Sequence, residues 1–101
     1  SKRYDMIHSM EFLYYLKDPK SMLKLFFDNW ISQDGWLVVG IDHYKENEDS
    51  LSWPEQVGVH MTTLSTQEWL DAWQEAGFSN ISTWQAGEKG QVTLVITGQK
   101  K

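Results

Sequence analysis

The sequence predicts an α/β fold on a mixed sheet, with its early strands parallel and its last two antiparallel. Three observations carry that prediction. The continuously apolar run Trp36–Ile41 is what a strand buried on both faces requires. Helical stripes separate the strand patterns twice, and right-handed strand–helix–strand crossovers make such strands parallel. The closing patterns Phe78–Gln85 and Gln91–Thr97 flank Ala86-Gly87-Glu88-Lys89-Gly90 and read as a β-hairpin. A three-layer α/β sandwich, or part of one, satisfies all three.

In order, the first expected strand is residues 4–9, Tyr4-Asp5-Met6-Ile7-His8-Ser9. Asp18-Pro19 then starts a helix, with Asp as N-cap and Pro at its first position. Met22, Leu23, Phe26, Phe27, Trp30 and Ile31 form its apolar stripe, so the helix is expected over 19–31 and stops at Asp34-Gly35. A strand over 36–43 follows. Residues 44–63 form a loop too long for an ordinary connection, of the kind that serves as a lid or binding loop. Ser65-Thr66-Gln67-Glu68 is a capping box, Leu70, Trp73 and Ala76 continue the stripe, and Gly77 closes a helix over 66–76. Strands at 78–85 and 91–97 complete one domain over 1–101.

The chain has 101 residues, no Cys and a formal net charge of −5. Disulfides and thiolate-bound zinc are therefore excluded. That sign repels phosphate backbones, and the only Lys/Arg pairs, Lys2–Arg3 and Lys100–Lys101, lie at the ends, so nucleic-acid binding is not expected. No apolar run approaches the roughly 20 residues of a membrane span. No h-region follows Ser1, so no signal peptide is expected. A start without Met fits a processed chain or a piece of a longer one. A cytoplasmic location is the default expectation.

The element order and its motifs resemble the second half of a class I S-adenosylmethionine-dependent methyltransferase. Tyr4 through Pro19 looks like that family's fourth strand and the segment after it: aromatic-Asp-x-Ile, a turn, Leu-x-x-Leu, then Asp-Pro. Asp34-Gly35-Trp36-Leu37-Val38-Val39-Gly40 is similar to the fifth strand. Leu64-Ser65 through Ala76-Gly77-Phe78 resembles the late helix, and Thr93–Gly98 the final strand. Tyr14-Tyr15 is similar to small-molecule methyltransferases of the histamine type. The resemblance implies a partial Rossmann-like three-layer sheet, with S-adenosyl-L-methionine as the parent's cofactor. It also implies that the glycine-rich loop and ribose-binding acid are missing, so the piece alone should be inactive. In the family, the strand matching Tyr4–Ser9 lies mid-sheet beside the first strand. Without that neighbour it becomes a poorly protected edge, and a homodimer through it is expected.

Ligands in open α/β sheets bind beyond the carboxyl ends of the parallel strands. This marks His8-Ser9-Met10-Glu11 and Asp42-His43-Tyr44. By resemblance, Ser9 and Met10 are the expected cofactor-binding residues, against the alternative of contact through backbone alone. His43 is the candidate general base, since imidazole titrates near neutral pH, against the alternative of a hydrogen-bonded loop start. Tyr14, Tyr15, Asp42, Trp53 and His60, with Met61, are candidates for the acceptor site, against core packing for Trp53 or Tyr15. His8 is expected to be a buried, partnered polar residue. His8, His43 and His60 lack metal-ligand spacing, so no metal is expected. The acidic run Glu46-Asn47-Glu48-Asp49 is expected to be a solvated face.

Two functions compete. One is the acceptor-side portion of a methyltransferase acting on a small molecule, which makes the parent an enzyme. The other is a non-catalytic binding or interaction module on a half-Rossmann scaffold. A glycine-rich strand–loop–helix upstream in the parent reading frame would decide for the enzyme.

Overall fold

The structure is a computed structural model describing residues 3–86 and 93–101. Strand β1 is Tyr4–Met10, and a 3-10 turn, Leu13–Tyr15, follows it. Helix α1, Pro19–Leu25, runs directly into a π-helical turn, Phe26–Trp30. Then come β2 (Ile31–Ile41), a 3-10 turn (Glu48–Ser50), α2 (Trp53–Val57), α3 (Thr66–Ala76), β3 (Ser79–Ala86) and β4 (Thr93–Gln99). Positions 91–92 of the expected last strand and the turn residues 87–90 lie outside the described residues.

The strands form one four-stranded mixed sheet in the order β1-β2-β4-β3. β1 and β2 are parallel, and β4 is antiparallel to both β2 and β3. Along β2 and β4, Leu37 faces Gly98, Val39 faces Ile96 and Ile41 faces Leu94. These side chains share one buried face with α3 above them. Trp73 lies flat where Gly98 leaves room, since a Cβ there would come within 2.8 Å of its ring. Trp69, Ala72, Trp73 and Ala76 form the buried face of α3, and α1 packs alongside. Gly77, at φ 113°, ends α3 against the Phe27 ring, and a Cβ there would meet that ring at 2.9 Å. The indole N–H groups of Trp69 and Trp73 are buried without a hydrogen-bond partner among the described residues.

The opposite sheet face is more open. Met6 and Met10 on β1 are each 54% exposed, and Trp84 on β3 is half exposed. His8 points the same way and is exposed, contrary to the sequence expectation of burial. The cause is the placement of the helices: α3 packs on the face that carries Leu37, Val39 and Ile41, and the even-numbered side chains of β1 face the other side.

Several boundaries differ from those the sequence predicts, most of all the start of β2. The helix ends at Trp30 and the strand begins at Ile31, because Asp34-Gly35 is a bulge within β2 and not a helix stop. Pairing with β1 jumps from Tyr4–Ile31 to Met6–Trp36. Asp34 sits at φ 68°, its N–H donates to the Lys100 carbonyl at 2.6 Å, and the Lys100 N–H donates to the Gly35 carbonyl at 2.9 Å. A side chain at Gly35 would strike Ile31 and the Asp5 carbonyl, at 2.8 and 2.9 Å. The carbonyls at the end of the π turn are met by cations. The Lys100 ammonium donates to the Phe27 carbonyl at 2.7 Å and the Arg3 guanidinium to the Asp28 carbonyl at 2.9 Å, which suits the negative end of a helix.

The expected loop over 44–63 contains two short helical turns, with Pro54 in the first turn of α2 and Gly58 closing it at φ 68°. Glu46 is not simply solvated. Its carboxylate accepts from the Thr66 N–H at 2.8 Å and the Thr66 hydroxyl at 3.0 Å, where it meets the positive end of α3. The predicted capping box is formed between Ser65 and Glu68. No described helix is long and apolar enough to cross a membrane.

Candidate functional site

β1 and β2 run parallel, so their carboxyl ends deliver Glu11 and Asp42 to the same rim of the sheet. Glu11 leaves β1 at φ 56°, a left-handed conformation that is uncommon outside glycine and costs free energy. Its N–H donates to the Gly40 carbonyl at 2.8 Å, which ties the turn to β2. Its carboxylate accepts from the Tyr14 hydroxyl at 2.7 Å. Burial pushes the Glu11 carboxyl above its ordinary value, the Tyr14 bond opposes this, and the charge of Asp42 adds to the rise. Burial, reinforced by the Glu11 carboxylate, likewise drives the Tyr14 hydroxyl well above the ordinary tyrosine range. Asp42 is held by the Thr93 hydroxyl at 2.5 Å, and its carbonyl accepts from the Asn47 amide at 2.7 Å.

Next to this rim is a cleft of about 430 Å³ lined by Tyr14, Tyr15, Trp53, Gln56, Val57, Val59 and Met61. Its two sides are sewn together by backbone. The Thr62 N–H donates to the Tyr14 carbonyl at 2.6 Å, and the Thr62 hydroxyl donates to the Leu16 carbonyl. Tyr14 is buried and stacks at a tilt on Tyr15, with centroids 4.6 Å apart; Tyr15 is 42% exposed.

His43 stands behind the aromatic wall, 5.7 Å from the Tyr14 ring and 6.3 Å from the Trp53 ring between centroids. It is 0% exposed. Its Nδ1–H donates to the Ser50 carbonyl at 2.9 Å, so in the neutral ring Nε2 accepts from the Thr63 hydroxyl at 2.6 Å. Burial holds its pKa below the ordinary 6.5, against the opposing pull of the Ser50 carbonyl.

Tyr14, Tyr15, Trp53 and Met61 therefore come together in one cleft. Asp42 joins it through Glu11, and His43 packs behind it. His60 is exposed and donates from Nε2 to the Thr62 hydroxyl at 3.1 Å, outside the lining. Ser9 is buried on the helix-covered face, while Met10 lies on the open face with its thiomethyl over Gly40. A Cβ on Gly40 would come within 2.5 Å of that methyl. The sequence reading gave Glu11 no role of its own. Its position, right after a strand and three residues before a tyrosine, was the available signal. Among the described residues no group of three His, Cys, Asp or Glu is placed to hold a metal.

A family model described as a methyltransferase domain matches residues 1–83. Among solved structures, the chain is similar to a candidate methyltransferase in complex with the Trm112 methyltransferase activator of Haloferax volcanii. The TM-score is 0.84 at 22% identity, over 96% of this chain and 54% of the other. It is also similar to a possible histamine N-methyltransferase from Thermotoga maritima, with TM-score 0.76 at 22% identity over 99% of this chain and 57% of that one. A Bacillus halodurans methyltransferase-type protein gives 0.74 at 13% identity, over 97% and 64%. The chain thus spans little more than half of the first two proteins. A search of curated proteins returns no match. The match over residues 1–83 shows the family, and these structures show the fold: the chain belongs to the methyltransferase-domain family and folds like class I S-adenosylmethionine-dependent methyltransferases.

Proposed function

We propose that the chain is the C-terminal, acceptor-side half of a methyltransferase acting on a small molecule, and that it is inactive alone. The observation that carries the reading is the aromatic cleft opening beside the carboxyl ends of the two parallel strands, where open α/β sheets take their ligands. The chain fits one end of S-adenosylmethionine only. Met10 over Gly40 offers a soft apolar contact, and the Glu11 and Asp42 carboxylates suit the positive charge of a sulfonium. Nothing in the sequence serves the adenosine and ribose. Ser9 and Met10 would border the cofactor, which when bound supplies an electrophilic methyl group. Tyr14, Tyr15 and Trp53 would hold and orient the acceptor and exclude water. Such alignment can supply much of the acceleration of an in-line displacement. Asp42 and His60 would bound that site, and His43, enclosed with both nitrogens engaged, positions the wall and does not act as a base.

Calorimetry with S-adenosylmethionine tests the reading. The 101-residue chain is expected to bind at least about a hundredfold more weakly than the longer parent protein, a loss of about 2.7 kcal/mol. Methyl transfer to a small-molecule acceptor is expected from the parent alone. Micromolar cofactor affinity in the short chain would overturn the half-site reading. The alternative module reading would be favoured by a parent that lacks a glycine-rich loop.

The same proposal carries an assembly expectation. The outer edge of β1 carries neither Pro nor Lys, and such edges pair with other chains. The isolated chain is therefore expected to form a two-fold dimer through Tyr4–Ser9 at micromolar concentration, seen by light scattering. A monomer with slowly exchanging amides along Tyr4–Ser9 would refute it.

A further inference from the structure

We infer that the cleft beside Tyr14 selects an organic cation, an amine or ammonium head on a small apolar body, with Glu11 as its counter-charge; this rests on the acceptor-site reading and names its substrate class. Three aromatic residues, Tyr14, Tyr15 and Trp53, line the cleft, and no Lys or Arg does. Rings attract cations through their negative faces, more strongly in partly desolvated sites. The Tyr14 hydroxyl donates to the Glu11 carboxylate at 2.7 Å, so the carboxylate's charge acts on the ring at the cleft wall. Asp42 adds a second negative group at the same rim. A neutral or anionic acceptor would gain nothing from this field, and an anion would be repelled.

Glu11 accepts from the hydroxyl of buried Tyr14, a bond that a neutral glutamine oxygen could equally receive, so the fold does not call for its negative charge. Its backbone is left-handed at φ 56°, and its carboxylate is partly buried beside another acid. Features that cost stability and persist are a mark of functional sites.

The test uses the 101-residue chain without cofactor, so its outcome is independent of methyl transfer. Two probes of nearly the same shape are titrated by calorimetry and by amide chemical shifts: choline, which is cationic, and dimethylbutanol, its uncharged carbon isostere. Choline is expected to bind roughly fivefold or more tightly than the alcohol, with shifts at Tyr14, Tyr15, Trp53 and Met61. Glu11→Gln is expected to abolish that preference while leaving alcohol binding unchanged, and to raise the urea midpoint, so loss of fold does not confound the result. Trp53→Ala is expected to weaken both probes. Equal affinity for the two probes, no binding of either, or a preference that survives Glu11→Gln would each overturn the inference. Failure here with methyl transfer intact in the parent would leave the acceptor-site reading standing and remove only the cationic class.

Discussion

Replacing Trp73 with alanine is expected to cost about 4 kcal/mol, a large share of the roughly 5–15 kcal/mol that holds a domain together. Trp73 is 0% exposed. Its ring fills the space left by Gly98 and packs at 5.0 Å on Phe78, so truncation leaves a cavity at the junction of α3, β3 and β4 that backbone shifts cannot fill. Trp73→Phe is expected to cost no more than about 1.5 kcal/mol. It keeps most of the ring and removes an indole N–H that is buried without a partner, a group that itself costs about 1–3 kcal/mol. Urea melts of the three proteins would show the ordering. A loss below about 1 kcal/mol for Trp73→Ala would mean that α3 does not pack on the sheet as described.

His43→Leu is expected to destabilise by about 2 kcal/mol near neutral pH, because the buried Ser50 carbonyl loses its donor and the Thr63 hydroxyl its acceptor. A pH effect accompanies it. Burial holds the His43 pKa below 6.5 in the folded chain, so below that pH the unfolded chain takes up a proton that the folded chain refuses. Stability contributed by His43 is therefore full above about pH 6.5 and falls as pH drops toward the folded value. The stability gap between the natural chain and His43→Leu should accordingly narrow between about pH 7.5 and pH 5.5. The other titrating groups are common to both proteins and cancel. A gap that stays constant or widens on acidification would mean that His43 accepts a proton in the fold and is free to act as a base.

Patterns that depend on local chemistry were legible in the sequence. Asp18-Pro19 and Ser65–Glu68 start helices because capping is decided within four residues. The run Trp36–Ile41 was visible as a strand because it is continuously apolar, although burial there is not equal on both faces: Leu37 and Val39 are buried while Trp36 and Val38 are half-buried. Asp34-Gly35 misled because a bulge and a helix stop use the same residues, and only the contact with Lys100, far along the chain, distinguishes them. His8 was misplaced for the same kind of reason, since the side of β1 that is covered is decided by where distant helices such as α3 pack. At the site, the sequence offered Tyr14, Tyr15 and Trp53 as candidates for one pocket wall, and the three line one cleft in the structure. The sequence could not reveal that Glu11 reaches the Tyr14 hydroxyl or that His43 faces inward, because both follow from loop paths fixed by backbone bonds such as Thr62 to Tyr14.

The position of β4 bears on how the chain acquires its shape. The strand that is latest in sequence lies between β2 and β3, so β3 has no neighbour in the sheet until residues 93–99 have been made. Until then β2 lacks its antiparallel partner and Trp73 lacks the surface at Gly98 that it covers. Closing contacts such as Trp36 with Gln99 span most of the sequence, and distant pairings of that kind slow folding. β4 thus closes the described sheet, and a chain that has not yet paired it leaves apolar surface open to capture by chaperones, proteases or other nascent chains.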